Sequence, residues 1–409
     1  MTNTEIFLLG SAAFMCGLSL ICAALLFLQR THRRVYWPLA LFFVAETLIS
    51  ILTMVGLIAG PSTYPLLARL SNALTLPIAM TQAPLFWLYV RGLTSEEEHE
   101  AIAHRMLHLL PLLAAGAVAG LYLILPLTVI DGTAQVPAWV GFVIASVYAV
   151  AVLYYLQVAT YIVMTIRLLT TYNSRLKDLF ASTERRELGW VWWIAVAVAS
   201  YWFFNIAVIV LQLSGVWPWA APVMHAEILS QVISAALIWV IALWGLRQKP
   251  GLVRQIDDGS QDRRHQAADA AKYRNSALTT DHAERIAAKI ERAMARDLMY
   301  RDPNLSLWDL AQHIGATSNY VSQTLNETLE ESFFDYVNRW RIKDALDRMN
   351  TSQETILILA YDVGFNSRSS FYKAFKRETG MTPSQFRRRG KSDIGQASDA
   401  LPEPSGTLT

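Results

Sequence analysis

Charged residues are scarce in this chain, and cysteine is nearly absent. Only 17% of the 409 residues are charged, against about a quarter in ordinary soluble proteins, whereas 53% are hydrophobic. The two cysteines, Cys16 and Cys22, lie in one apolar run and point in different directions on a helix. This excludes a disulfide framework. The low average charge conceals a split, because residues 6–246 are mostly apolar and the remainder is polar and charged.

Motifs of nucleotide and metal chemistry are also missing. The chain contains no P-loop and no glycine-rich nucleotide signature. The segment HEAIAH, residues 99–104, separates its two histidines by five positions, so they do not share a helical face as in a zinc-protease motif. Glu100, His104 and His108 do share a stripe, which leaves a metal there as a weaker alternative to a solvated face. We therefore expect no catalytic residue, cofactor or metal, and a membrane enzyme or sensor kinase ranks last.

Seven apolar runs are long enough to cross a membrane. A helix needs about 20 apolar residues to span a hydrocarbon layer about 30 Å thick. The first run is too long for a signal peptide and follows no basic segment, so it is predicted to be a true span. These runs predict a seven-helix transmembrane bundle. The spans are residues 6–28, 36–59, 66–91, 107–129, 139–166, 189–213 and 225–246.

Basic residues alternate along the connections between these runs. Lys or Arg occurs in the first, third and fifth connections and after the last span, whereas the second, fourth and sixth connections contain neither. The positive-inside rule then places the N-terminus outside and the C-terminal part in the cytoplasm. A soluble all-α protein, the alternative, would not produce this alternation. We predict a multi-pass membrane protein.

The sequence divides into five predicted regions. Residues 1–246 would form a transmembrane sensor domain, and residues 247–280, which are polar and aperiodic, a flexible cytoplasmic tether. Residues 281–300 have an amphipathic pattern typical of a linking helix. Residues 301–390 would form a second folded domain, and residues 391–409 a disordered tail.

The C-terminal region contains an internal near-repeat. LAQHIGATSNYVSQTL begins at Leu310 and LAYDVGFNSRSSFYKAF at Leu359, with Gly315 and Gly364 at matching positions. Each copy has a short helix with a small Ala, a Gly at the turn and a second helix, as helix-turn-helix units do. The stretch between them, residues 332–350, would form a helix about 28 Å long. Such a rod can hold two recognition helices close to one DNA turn apart, about 34 Å. Residues 301–390 are therefore predicted to form a DNA-binding domain. The predicted fold is all-α, a seven-helix transmembrane bundle followed by a cytoplasmic double helix-turn-helix domain.

Residues 300–390 resemble the AraC/XylS-type DNA-binding domain of bacterial transcription regulators. The specific part is ILILAYDVGFNSRSSFYKAFKRETGMTPSQFRR, which follows the closing signature of that family almost throughout. The resemblance implies seven helices, with two helix-turn-helix units on one linker helix and residues 385–388 in the last helix near the DNA backbone. The residues implied to face DNA are Asn319, Ser322 and Gln323 in the first copy and Arg368, Ser369 and Lys373 in the second. The cation-rich segment around the second copy adds Lys376, Arg377, Arg387 and Arg388.

The first copy departs from the family pattern. It lacks Lys and Arg, with Gln323 where many members have a basic residue, and Glu330 replaces a usual Gly. Glu327 and Glu331 add negative charge on that side. Gln and Asn still read adenine edges. We therefore expect an asymmetric reader, in which the second copy anchors electrostatically and the first contributes a modest base preference.

Ionisable and amide groups within the spans are candidates for signal sensing. Membrane-buried carboxylates are expensive and usually face a bundle interior or a cavity. Glu46 lies near the middle of the second span, Gln82 lies in the third, and His225 with Glu227 opens the seventh. Hydrogen bonding between helices is the favoured alternative for the amides. Glu46 and Glu227 are interpreted as ligand- or proton-sensing groups.

Together these features predict a membrane-tethered one-component transcription regulator, a multi-pass protein of a bacterial inner membrane. Its expected partners are double-stranded promoter DNA, membrane lipid, a small-molecule or membrane signal, a second copy of the chain in a homodimer, and RNA polymerase if it activates transcription. Dimerisation would raise affinity through avidity on repeated half-sites. The alternative is a transporter with a regulatory DNA-binding appendage, although seven spans do not divide into equal inverted repeats.

Overall fold

The computed structural model describes nine stretches of the chain and divides it into two compact units. The first unit comprises Met1–Thr171 and Leu188–Arg254, and the second comprises Tyr172–Glu187 and Gln255–Thr409. The predicted tether, most of which lies in residues 249–279, and the predicted tail fall outside the described residues, as do residues 96–109. The described stretches are 2–29, 33–59, 64–95, 110–125, 137–184, 186–213, 220–248, 280–351 and 354–389.

The first unit consists of long apolar helices, which confirms the all-α prediction. Six of the seven predicted spans are helices long and apolar enough to cross a membrane. The fourth is described as a helix of only 15 residues. The helices are α1 (Asn3–Leu28), α2 (Arg33–Ala59), α3 (Pro65–Thr94), α4 (Leu110–Ile124), α5 (Ala138–Leu179), α6 (Gly189–Leu213) and α7 (Ala220–Arg247).

Polar side chains join these helices where hydrocarbon offers no other partner. Thr47 Oγ1 on α2 donates to Ser19 Oγ on α1 at 3.1 Å, and Gln157 Nε2 on α5 donates to the Met80 carbonyl of α3 at 3.2 Å. Arg69 on α3 is buried, and its Nη2 donates to the Tyr122 carbonyl at 2.8 Å at the C-terminal end of α4. Such bonds satisfy groups that lipid cannot. Cys16 and Cys22 are free cysteines.

The end of α7 is fixed by hydroxyl and indole donors. Tyr36 donates to the Gln248 carbonyl at 2.6 Å, and Tyr89 donates to the Gly245 carbonyl at 3.0 Å. Trp190 Nε1 donates to the Gln248 side-chain oxygen at 3.1 Å. The last carbonyls of a helix have no partner within it. Three neighbouring helices therefore hold this end of α7 in place.

Helix α5 is 42 residues long and continues past the predicted end of the fifth span. At 1.5 Å per residue it extends about 63 Å. Its first part belongs to the first unit, whereas its last turns belong to the second. Arg167, Arg175 and Lys177, taken from the sequence as residues of a connection, therefore lie on this helix.

The second unit contains the helices of the repeat and one helix before them. Helix α8 buries the apolar stripe that the sequence predicts, including Ile286, Ile290 and Met294. These side chains share a core with the first helix-turn-helix copy. The helices are α8 (Thr280–Ala295), α9 (Leu307–Ile314), α10 (Ser318–Gln323), α11 (Phe333–Thr351), α12 (Ile356–Asp362), α13 (Arg368–Thr379) and α14 (residues 383–389).

Helix α11 forms the rod between the two copies, and its two halves serve separate cores. Phe333 and Val337 pack in the core of the first copy, whereas Ile342 and Ala345 pack against α12 and α13. The helix contains 19 residues, so it is about 28 Å long, as the sequence predicts. The spacing of the two recognition helices therefore depends on one continuous element.

Candidate nucleic-acid interface

Helix α13 presents a basic face because its apolar residues fix its orientation. Ser367 caps its N-terminus by accepting from the Ser370 amide, as Ser does at N-cap positions. Phe371, Ala374 and Phe375 are buried on one side of the helix. The side chains on the other side are exposed, and they include four of the predicted DNA-facing residues: Arg368, Ser369, Lys373 and Lys376.

The guanidinium of Arg368 is positioned by an aromatic ring. Its Cζ lies 4.9 Å from the centre of the Tyr372 ring, and its Nη2 donates to the Tyr372 hydroxyl at 3.2 Å. The hydrogen bond with Ser384, helped by the Arg368 guanidinium, lowers the pKa of Tyr372. A stacked arginine loses little freedom on binding and keeps donors free for a base or a phosphate.

The other cations of this region differ in how they are engaged. Lys373 and Lys376 form no ion pair with a described residue, whereas Arg377 pairs with Asp335 of α11 and lies 3.3 Å from Glu378. A paired guanidinium offers less charge to a phosphate than a solvated ammonium does. The structure therefore places Lys373 and Lys376 as the more available cations, and Arg377 as a brace between α13 and α11.

Helix α14 follows a reciprocal cap. Thr382 N donates to Gln385 Oε1 at 2.9 Å, and Gln385 N donates to Thr382 Oγ1 at 3.3 Å, which is a capping box. Arg388 is exposed. Arg387 is half-buried, and its Nε and Nη2 have no hydrogen-bond partner in the described stretches. Of these two predicted DNA-facing residues, Arg388 is therefore the accessible one.

The recognition helix of the first copy is shorter and less regular. Helix α10 has six residues and continues as a π-helical turn, Thr324–Thr328. Asn319 is exposed, while Ser322 and Gln323 are half-buried. Gln323 Nε2 donates to Glu327 Oε2 at 2.8 Å. The amide nitrogen predicted to read a base is thus already engaged, and Asn319 is the most accessible of the three predicted side chains.

The backbone torsion angles show the consequence of one departure from the family pattern. Gly315 and Gly364 end the first helix of each copy with positive φ, 64° and 100°, as the repeat predicts. The second recognition helix ends at Gly380 with φ 73°, and the matching position of the first copy is Glu330 with φ 56°. A non-glycine residue in this region carries strain. The departure seen in the sequence, Glu330 in place of a usual Gly, therefore coincides with a strained backbone position.

Sequence reasoning missed a segment that docks on the first copy. Within the second unit, Ala181 N donates to the Leu305 carbonyl at 3.1 Å, and Phe180 forms an isolated antiparallel bridge with Ser306. The Phe180 ring meets Trp308 edge-on with centres 5.5 Å apart. Arg186 lies over Phe180, its Cζ 3.7 Å from the ring centre. The residues after α5 are therefore part of this domain.

A buried arginine holds this docked segment, residues 172–187. Arg341 of α11 is fully buried. Its Nε donates to the Tyr300 carbonyl at 2.7 Å, and its Nη2 donates to the Asp302 carbonyl at 2.8 Å. Its Nη1 donates to the Ala181 carbonyl at 3.1 Å and to Ser182 Oγ at 3.2 Å. Burial lowers the pKa of this guanidinium to about 10. In the sequence, Arg341 stands at helical spacing between Val337 and Ala345, which are both buried, and this spacing could have placed it on the buried side of α11.

The candidate sensing residues are brought together only in part. In the first unit, Gln82 Nε2 donates to Glu46 Oε2 at 2.7 Å. Both residues line one cavity. The bond agrees with the alternative that the amides link helices. His225 and Glu227 belong to α7, but their side chains lie outside the described residues.

Comparisons with known proteins agree with the geometry of the second unit. Residues 310–389 match the family described as "Helix-turn-helix domain". The chain is 34% identical over 84 residues to an HTH-type transcriptional regulator of Staphylococcus aureus (strain COL), covering 20% of this chain and 11% of that protein. It is 30% identical over 111 residues to the transcriptional regulatory protein YesN of Bacillus subtilis (strain 168), covering 26% and 30%.

A third relative, the melibiose operon regulatory protein of Escherichia coli (strain K12), is 29% identical over 87 residues, covering 21% of this chain and 29% of that protein. No solved structure matches the chain. The chain thus spans less than a third of each of these relatives. The similarity, the repeated fold and the exposed basic helix agree: residues 310–389 form an AraC-type helix-turn-helix domain.

Proposed function

We propose that this protein is a membrane-tethered one-component regulator that binds promoter DNA through two helix-turn-helix units in response to a signal. The observation that carries the proposal is the exposed basic face of α13, in a chain whose described residues also include six helices long and apolar enough to cross a membrane. The curated relatives that match this domain are transcription regulators. The second unit would lie in the cytoplasm, because the basic connections favour that side.

The two helix-turn-helix copies would contact DNA unequally. On α13, Lys373 and Lys376 are exposed and unpaired within the described stretches, so they would attract phosphates, and the stacked Arg368 would contact a base or phosphate. On α10, Asn319 would supply a modest base preference. A homodimer on repeated half-sites would compensate for the weaker DNA contacts of the first helix-turn-helix copy. RNA polymerase would be a further partner if the output is activation.

The docked segment would carry the signal to the DNA-binding domain. Helix α5 runs from the membrane unit into residues that are hydrogen-bonded to Arg341 and bridged to Ser306. A movement of α5 would therefore act directly on the first helix-turn-helix copy. Phe180→Ala should alter reporter output with the protein still in the membrane. Phe203→Ala, which removes an exposed ring from α6, is the matched control.

Genomic binding sites of the intact protein test the central proposal. They would be mapped by immunoprecipitation and compared with transcript changes in a deletion strain. We expect discrete sites upstream of the affected genes and their loss in Arg368→Ala. Binding without sequence preference would contradict the proposal. So would a tag after Thr409 that can be reached only from outside the cell. Substrate uptake abolished by Glu46→Ala, with transcription unchanged, would favour the transporter alternative.

A further inference from the structure

A cavity of about 350 Å³ lies among the apolar helices of the first unit. Its walls come from six helices, α1, α2, α3, α5, α6 and α7. The volume falls within the range of small-molecule sites, about 300–1,000 Å³. Nothing in the DNA-binding proposal requires such a space, so its chemistry calls for its own explanation.

The cavity has one carboxyl group on its wall and no basic side chain among the described lining residues. Glu46 is the sole Asp, Glu, Lys, Arg or His among the described lining residues. Its partner is a neutral amide, Gln82, which donates to Oε2 at 2.7 Å. No described residue forms an ion pair with Glu46. A carboxylate at membrane depth is costly unless a cation or a polar cavity compensates it. The described wall therefore offers no counter-charge to Glu46, and a ligand with a positive charge could provide it.

The remaining wall favours a cation with an apolar body. Aromatic rings attract a cation through the negative potential of their faces, and the attraction grows when the cation is desolvated. The hydroxyls of Tyr201 and Ser234 are hydrogen-bonded to each other at 3.1 Å, and they form one of several polar spots in a lining that is mostly aliphatic and aromatic. An anionic ligand would meet Glu46 and no described cation. The aromatic lining residues are Phe42, Phe86, Tyr154, Tyr161, Tyr201 and Trp202.

We propose that this cavity binds an organic cation, an amine or quaternary ammonium carrying an apolar group, with Glu46 as its counter-charge. The aromatic rings would surround the cationic group, and the aliphatic wall would cover the apolar body. Binding itself does not depend on the DNA-binding proposal. The role of the ligand as the signal does rest on that proposed function.

The test uses benzyltrimethylammonium and its uncharged carbon isostere, neopentylbenzene. The full-length protein is placed in nanodiscs free of choline lipids, and binding is measured by equilibrium dialysis against empty nanodiscs. We expect saturable binding of the cation and none of the isostere. Glu46→Gln, which keeps the shape and removes the charge, should weaken cation binding at least about tenfold. Glu5→Gln removes the same charge outside the cavity and should have no effect.

Three results would overturn the proposal. They are the absence of saturable cation binding, equal binding of the neutral isostere, and cation binding that is unchanged in Glu46→Gln. The source of the cation is decided by repeating the measurement with phosphatidylcholine nanodiscs. Competition by this lipid assigns the site to a choline headgroup, and no competition assigns it to a soluble amine.

A promoter reporter separates this inference from the proposed function. Cation binding that depends on Glu46, with transcription at mapped sites unaffected, supports the ligand class and contradicts the signalling role. Regulated transcription in a protein that does not bind the cation supports the regulator and removes the ligand class. The two failures are therefore distinguishable.

Discussion

Gly364→Ala should destabilise the second helix-turn-helix unit much more than Gly315→Ala destabilises the first. The two glycines occupy matching positions, and both have positive φ, 100° and 64°. An alanine in this region carries about 1–2 kcal/mol of strain at either site. The surroundings differ. A Cβ at Gly315 would meet nothing within 4 Å, whereas a Cβ at Gly364 would lie 2.5 Å from the Tyr300 carbonyl oxygen and 2.9 Å from that of Arg301.

The contact at Gly364 sets the larger penalty. Backbone oxygens cannot rotate away, so the chain at Tyr300 must shift, at about 1–3 kcal/mol for overpacking of this kind. The same Tyr300 oxygen accepts from Arg341 Nε at 2.7 Å, so the shift also weakens a bond from a charged donor. The smaller freedom of alanine in the unfolded chain offsets about 0.4–1 kcal/mol in both variants. We expect net losses of about 3–4 kcal/mol for Gly364→Ala and about 1 kcal/mol for Gly315→Ala.

Pulse proteolysis of the full-length protein in detergent micelles measures this difference. Brief protease exposure at increasing urea reports the fraction of the C-terminal unit that is unfolded. With a urea dependence of about 1.5 kcal/mol per molar, Gly364→Ala should lower the midpoint by about 2 M or more and Gly315→Ala by about 0.7 M. Equal shifts in the two variants would refute the argument, because they would show that the approach to Tyr300 adds nothing.

Three further predictions follow from the same unit. Arg341→Lys cannot reach all the acceptors of the guanidinium and should cost about 3 kcal/mol or more in that assay, whereas Arg339→Lys, on the exposed side of α11, should change stability by less than about 0.5 kcal/mol. Glu330→Gly should stabilise by about 1 kcal/mol, since it relieves a left-handed residue, and a lower urea midpoint would contradict this. Lys373→Ala with Lys376→Ala should lower the salt slope of DNA binding, measured by gel shift, by about 2, and an unchanged slope would contradict the asymmetric reader.

Local pattern was enough to predict much of the DNA-binding part. Apolar residues at helical spacing predicted the buried stripe of α8 and the linker helix α11, and the structure confirms both. The turns at Gly315 and Gly364, both with positive φ, were also marked by the local repeat pattern. The DNA-facing residues stay a prediction, although the structure ranks their accessibility.

Contacts between residues far apart in sequence could not be predicted in this way. The pairing of Arg377 with Asp335 changes which cations are available to DNA, and only the packed helices show it. The full extent of the fourth predicted span stays a prediction, because its described helix, Leu110–Ile124, lies between stretches outside the described residues. The domain boundaries likewise stay a prediction.

The sequence by itself determined the all-α architecture of this protein, because the length of apolar runs, the helical period and the turn residues are local properties. Apolar runs set the spanning helices, and two matched Gly-centred repeats set the helix-turn-helix units. Only the tertiary structure decided that residues 172–187 belong to the DNA-binding unit and that Glu46 faces a cavity walled by six helices. Both depend on how distant helices pack, and the free energy of that packing comes from contacts that no single stretch of sequence contains.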